Sequence, residues 1–442
     1  MSKKLILLAC LFLSFTLQAQ NVDQRIGSLM NESRWFDLAR ELKATPADSV
    51  TPLLRQMAVG MTHHYFNRPD SVCIVLGELL NNHQQELGAN TLSMAMLMGV
   101  NLARAGHYAD AAGLLQSLYD QLTAQGLDST QTDVYRTLSQ QYRAYATCGA
   151  ICQPQHTAGE YRIPMTIDKG TGLLRMDGHL NGQESSLCFD TGAGVNTISS
   201  QQARRCGLRL LEAHMSVAGI GLQQGRYALC DTLRIGSTTW TNVPFLVVDI
   251  QTGHAKADSI GRQLPPVIGL PVMLRMQEIH FDFVRREFVI PETPAQRPYN
   301  ESNLIRTDGE NLRLTTVSKE GTPLCFHFDT GIYHTTLSPA WYARHKEKVQ
   351  AVATPDSLRL AGVGGVSVTR SYTLPSMEFA IGNGVAVLDS VVVNTGIGLH
   401  TGQPENTALL NGGEDGVIGV NLLERFSKVI LNLKEMYLEA IP

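Results

Sequence analysis

The chain has 442 residues, with 36 Lys and Arg against 40 Asp and Glu, for a formal net charge of −4. It is too long for one ordinary domain and suits two or three, and its 43% hydrophobic content is that of a globular protein with a core. No basic surplus exists to neutralise phosphates and no block of five or more Lys or Arg occurs, which excludes a nucleic-acid partner.

The N-terminus reads as an export signal over residues 1–19. Lys3-Lys4 gives a positive start, Leu5 to Leu17 an apolar run, and Ala19 a cleavage position. The run is too short to span a bilayer, and no later segment is a transmembrane candidate. The expected location is therefore periplasmic or extracellular. Leu7-Leu8-Ala9-Cys10 is similar to a lipobox, but Leu11-Phe12-Leu13 continues the apolar run past Cys10, so a lipid anchor is the lesser expectation. Export permits disulfides. Beyond Cys10 the cysteines are Cys73, Cys148, Cys152, Cys188, Cys206, Cys230 and Cys325, an odd set to which no bridge is assigned. Cys188 and Cys325 lie in apolar stretches and read as small buried hydrophobes.

Residues 20–150 read as a helical domain. Leu92, Ala95, Met96 and Val100 form a helical apolar stripe. After it, Gly106-x-Tyr108-x-x-Ala111 resembles the middle of a tetratricopeptide repeat: Gly ends a helix, the aromatic fills the gap between helices, and the small residue permits close approach. Looser echoes near Trp35 and Pro69 leave both two-helix repeats and a plain helical bundle open. Such a domain would hold a protein partner.

Composition changes after Ala150. Gln153 to Gly159 reads as a linker, and from Tyr161 β-branched and aromatic residues alternate with polar ones between glycines, as in a β-rich barrel or sandwich. The Pro-rich stretch Pro291 to Pro298 divides this region into two lobes, 155–292 and 300–442. The fold class expected is α+β multidomain: helical repeats followed by a duplicated all-β bilobal barrel.

The lobes repeat one order. Leu187-Cys188-Phe189-Asp190-Thr191-Gly192 recurs as Cys325-Phe326-His327-Phe328-Asp329-Thr330-Gly331, and Thr197, Ile198 and Ser199 match Thr336, Leu337 and Ser338 at constant offset. A single stray Asp-Thr-Gly is about a one-in-ten event at this length; two with matching surroundings are not. Glycine-rich hairpins follow, Gly219-Ile220-Gly221 and Gly362-Val363-Gly364-Gly365, then Val267-Ile268-Gly269 and Val417-Ile418-Gly419, then closing strands around Asp282 and Asn432, which read as turn or edge residues. The arrangement resembles the aspartic proteases, in particular the retropepsin-like branch, with two copies fused in one chain and the likeness running from Tyr161 to Pro442.

The chemistry agrees. Two carboxyls held side by side share one proton, and such a pair can deprotonate a water while polarising a carbonyl. The resemblance implies Asp190 and Asp329 as that pair, Thr191, Gly192, Thr330 and Gly331 as support, and Thr191 and Thr330 bonded across the axis. It also implies glycine-rich hairpins that close over an extended peptide, with Arg370 and Tyr372 as part of the second and Arg226 and Tyr227 of the first. No metal motif occurs, and no metal or cofactor is expected. His334 reads as an ordinary histidine near the site, and Asn394-Thr395-Gly396, with Gln251-Thr252-Gly253 as counterpart, as a loop. Ala193 and Ile332 stand where pepsin-like enzymes carry a hydroxyl that bonds the carboxylate, which predicts a less acidic pH optimum than pepsin's. Ile332 and the bulky Tyr333 also leave a second reading open, a silent homologue that binds peptides or proteins without cutting. The function expected is an exported aspartic-type endopeptidase acting on a peptide or protein substrate.

Overall fold

The computed structural model describes residues 21–155, 159–218, 222–251, 255–298, 301–319, 321–362, 365–404 and 414–442. The expected signal segment, 1–19, lies outside them. The chain forms two compact units, one of residues up to Arg143 with Arg297–Ser302, the other of Ala144–Gln296 with Asn303–Pro442.

The first unit is helical, as its periodicity predicts. It runs through α1 (21–31), α2 (Trp35–Ala44), α3 (Pro52–Tyr65), α4 (Pro69–Asn82), α5 (Gln84–Leu87), α6 (Asn90–Arg104), α7 (Tyr108–Ala124) and the start of α8 (Ser129–Ala146). Proline opens α3 and α4, where its missing N–H costs nothing. Val72, Leu76 and Leu79 fall on one face of α4 and bury against Leu87 and Met94. On α6 the buried residues are Met94, Ala95, Gly99, Asn101 and Ala103, of which only Ala95 belongs to the predicted stripe. Gly99 lets α6 and α7 approach, since a Cβ there would come within 2.9 Å of Leu115. Gly106, at φ +92°, ends α6. Tyr108 then places its ring 6.4 Å from Tyr142 of α8, and Ala111 is fully buried. Among the described residues no helix is long and apolar enough to cross a membrane.

The second unit is β-rich. Its first part holds β1 (Gln153–Gln155), β2 (Tyr161–Pro164), β3 (Thr166–Ile167), β4 (Leu174–Leu180), β5 (Gln183–Phe189), β6 (Thr197–Ile198), β7 (Arg209–Ala218), β8 (Leu222–Ile235), β9 (Thr238–Val247), β10 (Val267–Ile268), β11 (Glu278–Asp282) and β12 (Glu287–Ile290). Helices α9 (Ser200–Arg205), α10 (Ala255–Gln263) and α11 (Leu270–Met276) interrupt it. Its strands run β1-β9-β6-β10-β5-β4-β8-β7, and because β8 pairs with both β4 and β9 the path returns on itself. The expected linker at Gln153 is a correction: Gln153–Gln155 pairs with Trp240 and its neighbours as an edge strand, a position where Pro154 is tolerated.

The later part holds β13 (Leu304–Arg306), β14 (Leu312–Val317), β15 (Pro323–Phe328), β16 (Thr336–Leu337), β17 (Thr354–Gly362), β18 (Gly365–Ile381), β19 (Gly384–Gly398) and β20 (Gly416–Ile418), with α12 (Pro339–Val352) and α13 (Val420–Leu423). The order is β13-β14-β15-β20-β16-β19-β18-β17. β15 lies parallel to β20 as β5 does to β10. The matched serines do the same work: Ser199 caps α9 and Ser338 caps α12, each accepting from the N–H three residues on.

A five-stranded sheet, β2-β12-β11-β21-β22, takes strands from both parts, with β21 (Lys428–Asn432) and β22 (Tyr437–Ile441) completing it. Asn432 is the turn residue expected, accepting from the Glu435 N–H at 2.7 Å, but it is not at an edge. It sits opposite Glu278 at the central β11–β21 pair, is fully buried, and donates to the Glu278 carboxylate and to the Ala295 carbonyl. Asp282 is the turn residue expected, accepting from the Arg285 N–H at 2.8 Å. Glu278 also takes the Ala295 N–H at 2.9 Å and lies 2.7 Å from His280 Nε2, so the Pro-rich connection is pinned to the sheet. Burial alone would raise the Glu278 carboxyl, but the bonds from His280, Ala295 and Asn432 outweigh it and hold it below the usual 4.5. Glu278→Gln is therefore expected to cost about 1–3 kcal/mol in urea denaturation at neutral pH. A depressed carboxyl stabilises the fold above its unfolded value and loses that contribution as pH falls through the folded one. The gap between wild type and variant should accordingly close as pH drops below 4.5.

Candidate active site

Two strands deliver the two aspartates. Phe189 on β5 and Phe326 and Phe328 on β15 are buried, which locks each strand and leaves the next residue at its end. The aspartate backbones continue the parallel pairings, Asp190 N–H to Ile268 O at 3.0 Å and Asp329 N–H to Ile418 O at 3.1 Å. Behind the turns, the N–H of Leu270 bonds Ala193 O and that of Val420 bonds Ile332 O. Gly269 and Gly419 sit there because a Cβ would strike backbone carbonyls, at 2.9 Å from Val195 O and 2.6 Å from Tyr333 O.

The two turns interlock. Thr191 N–H bonds Thr330 Oγ1 and Thr330 N–H bonds Thr191 Oγ1, both at 3.0 Å. Each hydroxyl in turn donates across, Thr191 to Phe328 O at 3.1 Å and Thr330 to Phe189 O at 2.8 Å. Both threonines are fully buried, so these four bonds satisfy groups that water cannot reach.

The interlock brings the carboxyls together. A Cβ on Gly192 would come within 2.7 Å of Asp329 Oδ2, and one on Gly331 within 2.6 Å of Asp190 Oδ1. Neither glycine takes a left-handed φ, so space rather than backbone conformation demands glycine here. Each carboxyl accepts the N–H two residues on, Gly192 to Asp190 Oδ1 and Gly331 to Asp329 Oδ1, both at 2.8 Å. So placed, the two carboxyls bear on each other's ionisation, and sharing one proton relieves the repulsion of two like charges. Burial, then the charge and hydrogen bond of Asp329, push Asp190 well above the ordinary 3.8. Burial acts the same way on Asp329, but the His327 imidazole, the bond with Asp190 and the Gly331 N–H outweigh it and hold Asp329 below that value.

A family model described as aspartyl protease matches residues 176–272, the stretch that carries Asp190. No curated protein matches the chain. Among solved structures, it is similar to basic 7S globulin from soybean, with 14% identity over 64% of this chain and 94% of that one and a TM-score of 0.36. It is also similar to an aspartic proteinase from Irpex lacteus, with 14% identity over 63% and 96% and a TM-score of 0.37. A retropepsin-like aspartic protease from Rickettsia conorii aligns at 14% identity over 31% and 93%, with a TM-score of 0.21.

Other residues singled out in the sequence fall as follows. Tyr333 packs against Gly172, where a Cβ would lie 2.6 Å from its own, and burial, then the charge of Glu424, push its hydroxyl up. His334 is exposed and stands edge-on to Tyr333. Asn394-Thr395-Gly396 is a correction: it is not a loop but part of β19, with Asn394 opposite Ser371 beside a bulge in the β18–β19 ladder, where its side-chain oxygen takes the Thr369 hydroxyl at 2.9 Å and the Gly396 N–H at 2.8 Å; Thr252 and Gly253 lie outside the described residues. The hairpin strands pair down to Ala218–Leu222 and Gly362–Gly365, while the tips Gly219, Ile220, Gly221, Val363 and Gly364 lie outside the described residues. Tyr227 is buried against Tyr145, and Tyr372 stacks on Tyr342 of α12. None of the seven described cysteines is in a disulfide; Cys188 is buried and Cys325 half-buried.

His327 was not singled out in the sequence. Its signal was plain alternation: two residues before Asp329 on a strand, it shares the aspartate's face. Its Nε2 lies 3.6 Å from Asp329 Oδ2, too far for a direct hydrogen bond but inside ion-pair range. It opposes the less acidic behaviour expected from the missing hydroxyl, and does so for Asp329 alone.

Proposed function

We propose that the β-rich unit is an aspartic-type endopeptidase, with Asp190 and Asp329 as its catalytic dyad and its two parts as copies of one barrel-like lobe. The observation that carries this reading is that each carboxyl lies against the glycine of the opposite turn, in two turns locked together by Thr191 and Thr330. A pair sharing one proton has an ionised oxygen to take a proton from water and a protonated one to give a proton to the substrate carbonyl. The water oxygen bonds to the carbonyl carbon, a tetrahedral diol forms, and the C–N bond breaks as the leaving nitrogen takes a proton. The glycine-rich hairpins would close over a substrate bound as an extended strand. On the same reading the protein is exported by residues 1–19, and the helical unit, a tetratricopeptide-like array, holds a protein partner or the substrate.

The test is a digest of a peptide library by the purified full-length protein across the acid-to-neutral range. Cleavage should persist with a metal chelator and with serine-directed reagents, and a statine peptide, whose hydroxyl mimics the tetrahedral intermediate, should stop it. Binding of extended peptides with no cleavage at any pH would instead leave a peptide-binding module.

A further inference from the structure

The strands that deliver the two aspartates differ beside them. Opposite the residue two before each aspartate stands an arginine on the neighbouring strand, Arg175 across from Cys188 and Arg313 across from His327. Each arginine is paired with an acid of its own, Arg175 with Asp168 at 3.4 Å and Arg313 with Glu414. The partner of His327 on β20 is the apolar Val417, and Cys325 precedes it on its own face. The unlike pair is Cys188 and His327. A buried thiol brings no charge to Asp190; an imidazole 19% exposed, 3.6 Å from Asp329, brings one when it is protonated.

Resting on the peptidase reading, we propose that His327 is a positioning residue that fixes the roles of the two aspartates: Asp329 keeps the negative charge and takes the proton of the attacking water, and Asp190 keeps the shared proton and gives it to the carbonyl oxygen. After attack the proton count is unchanged, with Asp329 protonated and Asp190 ionised. Asp329 then passes its proton to the leaving nitrogen, and the pair resets when the products' acid proton is returned to Asp190. A proton on the imidazole 3.6 Å from Asp329 favours the ionised form of that carboxyl over the one beside the uncharged Cys188.

Two measurements test this. The first needs no activity: ¹³C NMR of labelled aspartate carboxyls follows the Asp329 titration in Asp190→Asn, where coupling to the partner is removed, and in Asp190→Asn/His327→Gln. Loss of His327 is expected to move the midpoint up by about one pH unit, a tenfold change in ionisation constant; an unmoved midpoint overturns the proposal. The second is the pH profile of kcat/KM for His327→Gln, with His327→Cys as the variant that copies the first lobe should Gln impair folding. The acid limb is expected to move to higher pH by a similar amount with little change in KM, whereas a uniform fall at every pH would mean a structural role and overturn the proposal. A shifted carboxyl titration in a protein that cleaves nothing would defeat the peptidase reading and leave the His327–Asp329 charge assignment standing.

Discussion

Asp190→Asn is expected to lose peptide cleavage by about 10³-fold or more while gaining thermal stability at neutral pH. The amide keeps the shape of the carboxyl and can still accept the Gly192 N–H, but it cannot carry the shared proton to a carbonyl. The stability gain follows from the environment. Asp190 is half-buried beside Asp329 and held well above 3.8, so the folded state binds a proton that the unfolded chain has released. Where the folded state binds more protons, stability falls as pH rises. The cost is fully present above the raised folded value, and Asn removes it. Melting curves should show the variant above wild type at neutral pH, with the difference vanishing as pH is lowered below 3.8. Asp329→Asn should lose activity to a similar degree without the same gain, because the His327 imidazole already favours its charge.

The second large effect is expected from Gly331→Ala. Its backbone suits alanine, so propensity alone predicts no penalty. The new methyl, however, would sit 2.6 Å from Asp190 Oδ1, a carboxyl held by its own turn and by its partner. Either the carboxyl or the turn must shift, and crowding of this kind costs about 1–3 kcal/mol. Because the shift separates the two carboxyls, cleavage should fall by about 10²-fold or more. A double-mutant cycle isolates the cause: in an Asp190→Ala background the methyl has room, and the stability cost of Gly331→Ala should largely disappear. An undiminished cost there would locate the strain elsewhere in the turn.

Much of this site was legible in the residues. Paired Asp-Thr-Gly turns, each after an apolar run, marked both aspartates, because burying Phe189 and Phe328 is what holds the strands that present them. The crossed threonine bonds were implied only by family resemblance; sequence spacing holds no information about two turns 139 residues apart. His327 escaped notice because it was weighed as part of an apolar run, when the useful period was two. Asn432 was half legible: it accepts the Glu435 N–H of the following turn, as expected, but its place inside the sheet was not. An asparagine in a strand looks like an edge residue until a buried carboxylate across the ladder requires its amide. Gln153–Gln155 looked like a linker since a proline suppresses any strand signal, although an edge position makes no demand on its missing N–H.

The reciprocity of Thr191 and Thr330 carries a final consequence. Each supplies a hydroxyl that both receives from and gives to the opposite turn, so neither half completes its own loop. A fragment severed near the Pro-rich connection would present buried-type donors and acceptors with nothing to meet them. Two such fragments should gain order only on mixing, and a change at either threonine is inherited, in effect, by both halves at once.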